Sequence, residues 1–250
     1  MTVPLRPKAR PAEQAPLIML FAQQQVLDFG LAPSRTLEQF LPGANGVAAG
    51  LVAQQAEGRG EPQLYLWGVP GCGKTHLLQA ACQRAGERGL PAAYIALLDA
   101  PHPGVLEGLE HLGLVALDDV QAVAGQAVWE EALFDLINRL REHAVPLLLA
   151  ADQPPAALPI HLPDLASRLG WGPILRLEAL DDAAKLDLLR QRAAERGLVL
   201  PDEVGRYLLD HLPRDLPSLL EGLDRLDRAS MELHRKINLP LAREVLGGAS

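Results

Sequence analysis

Eight residues, Gly68-Val69-Pro70-Gly71-Cys72-Gly73-Lys74-Thr75, follow the pattern G-x-x-x-x-G-K-[ST], whose chemistry is the wrapping of a phosphate chain. The glycines let successive backbone N–H groups curl toward phosphate oxygens, and the N-terminus of a following helix adds its positive dipole end. In such a loop Lys74 contacts the β and γ phosphates and the Thr75 hydroxyl binds Mg²⁺. A strand-to-helix turn with no ligand would need the glycines but not the Lys-Thr pair. A phosphate cradle of this kind also needs a carboxylate on a nearby strand to hold the metal's water shell. The run Leu114-Val115-Ala116-Leu117-Asp118-Asp119 supplies it, with Asp118 for the metal and Asp119 as general base for an attacking water.

Two more polar residues sit near this pair in the order of elements. Asp152 closes the apolar run that begins at Val145 and could touch a terminal phosphate or its water; it also suits a turn beside Gln153-Pro154-Pro155. Arg168, in Leu165-Ala166-Ser167-Arg168-Leu169-Gly170-Trp171-Gly172, could stabilise transition-state charge on a neighbouring subunit's nucleotide. A surface pair with Asp164 explains the same residue.

The elements that must position these groups are legible in the periodicity. Short apolar runs at 63–67, 92–96, 114–117, 145–150 and 174–177 predict strands, and 74–88 predicts a helix. Val128, Ala132, Leu133, Leu136, Ile137 and Leu140 form a helical stripe. Uniformly apolar strands alternating with helices predict an α/β fold whose parallel sheet is covered by helices on both faces. Beyond residue 180 only helices are expected, at 182–195, 202–212, 216–234 and 241–246. The expected organisation is an N-terminal tail over 1–35, an α/β core over 36–179 and an all-α lid over 180–250.

Composition narrows the function. The 250 residues are 48% hydrophobic and carry a net charge of -8, a poor balance for wrapping a nucleic-acid backbone. The two cysteines, Cys72 and Cys82, make no disulfide framework, and the apolar stretch 17–22 is too short to span a bilayer. A cytoplasmic protein without a membrane partner is expected.

Several segments together resemble the DnaA-related AAA+ family, and most closely its Hda branch, the regulatory inactivators of DnaA. They are Leu64-Tyr65-Leu66-Trp67 before the loop, His76-Leu77-Leu78-Gln79-Ala80-Ala81-Cys82 after it, residues 129–139, residues 162–172 and Leu226-Asp227-Arg228-Ala229-Ser230. The resemblance implies an AAA+ P-loop module with ADP or ATP and Mg²⁺ held by Gly68, Pro70, Gly71, Cys72, Gly73, Lys74, Thr75 and His76. It places Asn45 at the adenine end of the nucleotide, Asp118-Asp119 as Walker B, Asp152 as sensor 1 and Arg168 as an arginine finger acting in trans. Pro217 falls where this family has its sensor 2 arginine, with Arg214 three residues earlier, which implies a chain resting with ADP rather than a fast ATPase.

In this context Gln24-Gln25-Val26-Leu27-Asp28-Phe29 is similar to a sliding-clamp-binding peptide, with Gln24, Leu27 and Phe29 as anchors. The implied function is inactivation of DnaA: clamp-dependent stimulation of DnaA-bound ATP hydrolysis, with DNA met only through the clamp because the chain stops at Gly247-Gly248-Ala249-Ser250. The resemblance also allows a homo-oligomer, and nucleoid association through the clamp. The competing expectation is an active AAA+ ATPase, a helicase loader or an initiator paralogue.

Overall fold

The computed structural model describes residues 18–21, 36–213 and 215–247. Four short runs, β2 (Gln63–Trp67), β3 (Ala92–Ala96), β4 (Leu114–Asp118) and β5 (Leu147–Ala151), are almost wholly buried, as a strand covered on both faces must be. They pair in parallel in the order β3-β4-β5-β2, and β6 (Ile174–Arg176) adds to β2 as a parallel edge. The expected α/β fold with a parallel sheet is therefore observed.

The other edge is not parallel. Ile18–Phe21 forms a sixth strand, β1, antiparallel to β3, inside the span that the sequence reading assigned to a tail. Its four residues carry no turn signal and no alternation, so periodicity alone could not separate it from the apolar patch around it.

Side-chain alternation along the strands builds two core layers. Leu64, Leu66, Leu114, Ala116, Leu148 and Ala150 point to the face covered by α1 (Gly46–Ala56) and α2 (Lys74–Glu87). Tyr65, Val115, Leu117, Leu147 and Leu149 point to the opposite face, against α3 (Ala127–Glu142) and α4 (Pro163–Leu169). Leu133, Leu136, Ile137 and Leu140 of α3 are the stripe read from the sequence, and all four are buried.

From Asp182 onward the elements are helical: α5 (Asp182–Glu195), α6 (Asp202–His211), α7 (Leu216–Leu233) and α8 (Leu239–Leu246). They close around a core of their own, centred on Leu189, Leu208, Leu219, Leu223 and Leu226. Three of the four helices begin on a side-chain cap, Asp181 on the Ala184 N–H, Asp215 on the Ser218 N–H and Asn238 on the Leu241 N–H. Pro217 stands in the first turn of α7, where its missing N–H costs no helical bond. Among the described residues no helix is long and apolar enough to cross a membrane.

Candidate functional site

The loop Gly68–Thr75 runs from the end of β2 into α2, as the motif requires. Two of its glycines answer to space. A Cβ on Gly68 would stand 2.5 Å from the Leu177 carbonyl oxygen, and one on Gly73 would stand 2.7 Å from Phe40 Cε2. Gly73 also adopts φ +102°, a left-handed conformation that costs glycine little and an L side chain more. Lys74 is buried, and its ammonium donates to the carbonyls of Gly68 at 2.7 Å and Val69 at 3.2 Å. Its Nζ also lies 3.9 Å from the Cys72 sulfur. Pro70 and Gly71 complete the turn. His76, two residues into the helix, faces the Thr36 carbonyl at 2.9 Å and packs against the Phe40 ring.

Asp118 ends β4 directly beneath this loop. Its Oδ2 accepts from the Thr75 hydroxyl at 2.6 Å and the Tyr94 hydroxyl at 3.0 Å, and its Oδ1 accepts from the Asp119 N–H at 3.0 Å. Thr75 and Asp118, the two groups expected to serve one metal ion, are thus in contact. Burial pushes the Asp118 pKa up; the Thr75 bond opposes it, the Asp119 charge adds to it, and the remaining two bonds oppose it. Asp118 holds two hydroxyls, and the loop above it carries a buried ammonium, a set of groups that fits a divalent cation and a polyphosphate.

Because the folded Asp118 carboxyl keeps its proton to higher pH than the unfolded one, its ionised form costs stability above that raised value, and the cost fades at low pH. Asp118→Asn is therefore expected to raise the unfolding midpoint at pH 8 by about 2–4 °C, what ~1 kcal/mol does in a chain of this size. The gain should shrink as the pH approaches 4. Thermal melts across pH check this, and a lower midpoint at pH 8 would mean that the three hydrogen bonds outweigh the desolvation.

Asp119 turns the chain with φ 57°, a left-handed position that Asp tolerates better than most residues. Its carboxylate accepts from Gln121 Nε2 at 2.8 Å, while Gln121 Oε1 accepts the Asp152 N–H at 3.2 Å. Gln121 therefore ties the expected base to the expected sensor across two strand ends. Sequence reading did not single it out, since a lone Gln in a turn carries no signal. Tyr65 supports the same loop by donating to the Gln153 carbonyl at 2.9 Å; burial, reinforced by the Asp152 charge, drives its phenol pKa upward.

Asn45 is buried, and its side-chain amide makes a two-bond pair with the Glu178 backbone, Nδ2 to the carbonyl at 2.9 Å and the Glu178 N–H to Oδ1 at 2.8 Å. This pins the start of α1 to the segment between β6 and the first lid helix.

Arg168 stands elsewhere. Gln63, at the start of β2, donates to the Arg168 carbonyl at 2.9 Å and the Leu169 carbonyl at 3.3 Å. The phosphate loop begins five residues further along the same strand, roughly 16 Å away at the rise of a parallel strand. Arg168 is thus at the opposite end of the sheet from its own Lys74. Asp164 is not its partner: Arg168 Nε donates to Asn138 Oδ1 at 3.0 Å, and its guanidinium lies over Trp171 at 3.9 Å and near Phe134 at 5.5 Å. Asn138 and Phe134 project from α3 one turn apart, so the helix that fills the core also presents the arginine's supports.

A second buried acid was also missed. Glu130, only 1% exposed, accepts the N–H groups of Gly125, His161 and Leu162 at 2.7–3.1 Å. Burial alone would raise its pKa; the bonds from His161, Leu162 and Gly125 overcome that and hold it below the usual carboxylate range. Leu162 is the residue that enters α4, so Glu130 anchors the helix that carries Arg168. Gln24, Leu27, Phe29 and Arg214 lie outside the described residues.

The parallel sheet with its loop-to-helix phosphate cradle, together with the helical unit after it, defines an AAA+ module. Residues 105–176 match the bacterial DnaA ATPase domain, and residues 182–246 match the lid domain of Hda. Domain III of the replication initiation protein DnaA from Thermotoga maritima is similar over 87% of this chain and 97% of its own, with 25% identity and a TM-score of 0.73. AMPPCP-bound DnaA from Aquifex aeolicus is 27% identical over 81% of this chain and 68% of its own, with a TM-score of 0.68. The RuvB Holliday junction branch migration motor of Thermotoga maritima shares the fold, with a TM-score of 0.65 at 17% identity, covering 85% of this chain and 71% of its own. This chain belongs with the DnaA-related AAA+ proteins and is of the Hda-like kind.

Proposed function

We propose that this chain is a regulator of replication initiation that inactivates DnaA by stimulating hydrolysis of DnaA-bound ATP, with Arg168 as the finger in trans. The observation that carries the reading is the placement of Arg168: far from its own Lys74, half-exposed, and held in one orientation by Asn138 and Trp171. A guanidinium so placed cannot serve the nucleotide of its own subunit but can serve a neighbour's. The Hda lid match supports the same reading. The chain's own loop, Gly68 to Thr75 with Asp118, holds ADP or ATP and Mg²⁺, and Pro217 in the α7 entry offers the γ-phosphate no donor.

Recruitment runs through Gln24, Leu27 and Phe29, which dock on the DNA-loaded sliding clamp, so that contact with DNA is indirect. Capture of the chain on immobilised clamp tests this arm. Gln24→Ala with Leu27→Ala should reduce capture by about tenfold or more, since a few anchors carry most of such an interface. Undiminished capture would remove the clamp from the account.

One arrangement favours a second reading, an ATPase with its own cycle: Asp119 and Asp152 are joined through Gln121 beside an intact cradle. That reading requires appreciable hydrolysis by the chain alone, lost in Asp119→Asn.

A further inference from the structure

The described α/β core, residues 36–179, contains seven arginines, and five of them, Arg59, Arg84, Arg88, Arg139 and Arg176, have a carboxylate within 4.0 Å. The two without an ion-pair partner among the described residues are Arg141 and Arg168, and both stack on one indole. The Cζ of each lies 3.9 Å from the centre of the Trp171 ring. The two guanidiniums are therefore at most about 8 Å apart, close enough for like charges to repel measurably at a protein surface. Within this core, two adjacent unneutralised arginines are an exception. Cation–π contacts hold their planes in place without discharging them. Arg141 is exposed at the end of α3, on the rim of a cleft of about 700 Å³ that Trp171, Gly170 and Leu147 also line.

We infer that Arg141 is a second anion-binding group of the trans site: the Arg141–Trp171–Arg168 stack receives the phosphate chain of the nucleotide held by the partner subunit. This rests on the proposed function of Arg168. Arg168 is aimed and supported by Asn138 and Phe134, whereas among the described residues Arg141 has the indole alone, so its part is attraction and binding rather than chemistry. A bound polyphosphate relieves the repulsion between the two guanidiniums, and it does so more completely with three phosphates than with two. Arg141 thus contributes to the choice of ATP-loaded over ADP-loaded partner.

The test measures the dissociation constant of the wild-type chain, Arg141→Ala and Arg141→Lys for DnaA loaded with ATP or ADP, together with the saturating hydrolysis rate, in the presence of DNA-loaded clamp. Arg141→Ala should weaken binding of the ATP-loaded partner about tenfold and of the ADP-loaded partner less than about twofold, with the saturating rate within about twofold of wild type. Arg141→Lys, which keeps the charge but not the planar stack, should recover part of the loss. Equal losses for both nucleotides would overturn the inference in favour of a carboxylate on the partner. Unchanged affinity, or a fall in saturating rate alone, would overturn it as well. Because Arg141 is exposed, its own melting temperature should not move. If the wild-type chain stimulates no hydrolysis at all, or Arg168→Ala leaves stimulation intact, it is the function of Arg168 that fails rather than the role of Arg141.

Discussion

Arg168→Ala is expected to lower the stimulated hydrolysis of DnaA-bound ATP by about a thousandfold or more, the range over which arginine fingers act. The same variant should bind nucleotide in its own loop and clamp at its tail as the wild type does. The separation follows from geometry: the Arg168 carbonyl is bonded to the first residue of β2, and Lys74 lies past the last. Nothing in the Gly68–Thr75 cradle touches the guanidinium, whose contacts are Asn138, Trp171 and Phe134. Charge alone is not the requirement. Arg168→Lys keeps a cation but loses the planar stack and the fork that spans phosphate oxygens, so it should recover little of the rate. Single-turnover hydrolysis with preloaded DnaA reads the effect directly, and a fluorescent ADP analogue checks that the chain's own site is intact.

Glu130→Ala is expected to destabilise the fold by about 3 kcal/mol or more, which would lower the unfolding midpoint by roughly 6–12 °C. Three backbone N–H groups lose a charged acceptor at once, in a place that water scarcely reaches. The effect has a pH signature. The folded carboxyl titrates below its unfolded value, so its contribution is whole above about pH 4.3 and is lost as the pH falls through the lower folded value. Wild type and variant should therefore converge in stability toward acid, and calorimetric scans from pH 7 to 3 would show it. Because Leu162 N–H is among the orphaned donors, the entry of α4 loosens and the position of Arg168 with it. A folded Glu130→Gln protein should accordingly stimulate hydrolysis less well than its stability alone would suggest.

The parts of this molecule that repeat locally were legible in its amino-acid order. The phosphate loop is eight consecutive residues, the core strands are uninterrupted apolar runs, and the stripe on α3 recurs at helical spacing. What was not legible acts through space. Glu130 looks like the polar face of an amphipathic helix until His161 and Leu162 arrive from 31 and 32 residues away. Trp171 reads as a bulky residue beside a glycine until Arg141 and Arg168 close on it from two different helices. Asn45, assigned by resemblance to the adenine end of the nucleotide, also pairs its amide with the Glu178 backbone, a contact 133 residues away that no local pattern announces. The edge strand Ile18–Phe21 is defined by its partner β3 rather than by any pattern of its own.

With Arg168 acting in trans, chemistry falls on the partner's nucleotide and not on the chain's own. A double-label experiment tests it most directly. DnaA is loaded with ATP carrying one isotope and this chain with ATP carrying another, both at their P-loops, and the two are combined with DNA-loaded clamp. The diphosphate of each label is then followed through a single turnover. Rapid conversion of the DnaA label, dependent on Arg168, is expected, while the chain's own label persists. Rapid conversion of the chain's own label, with that on DnaA unchanged, would contradict it.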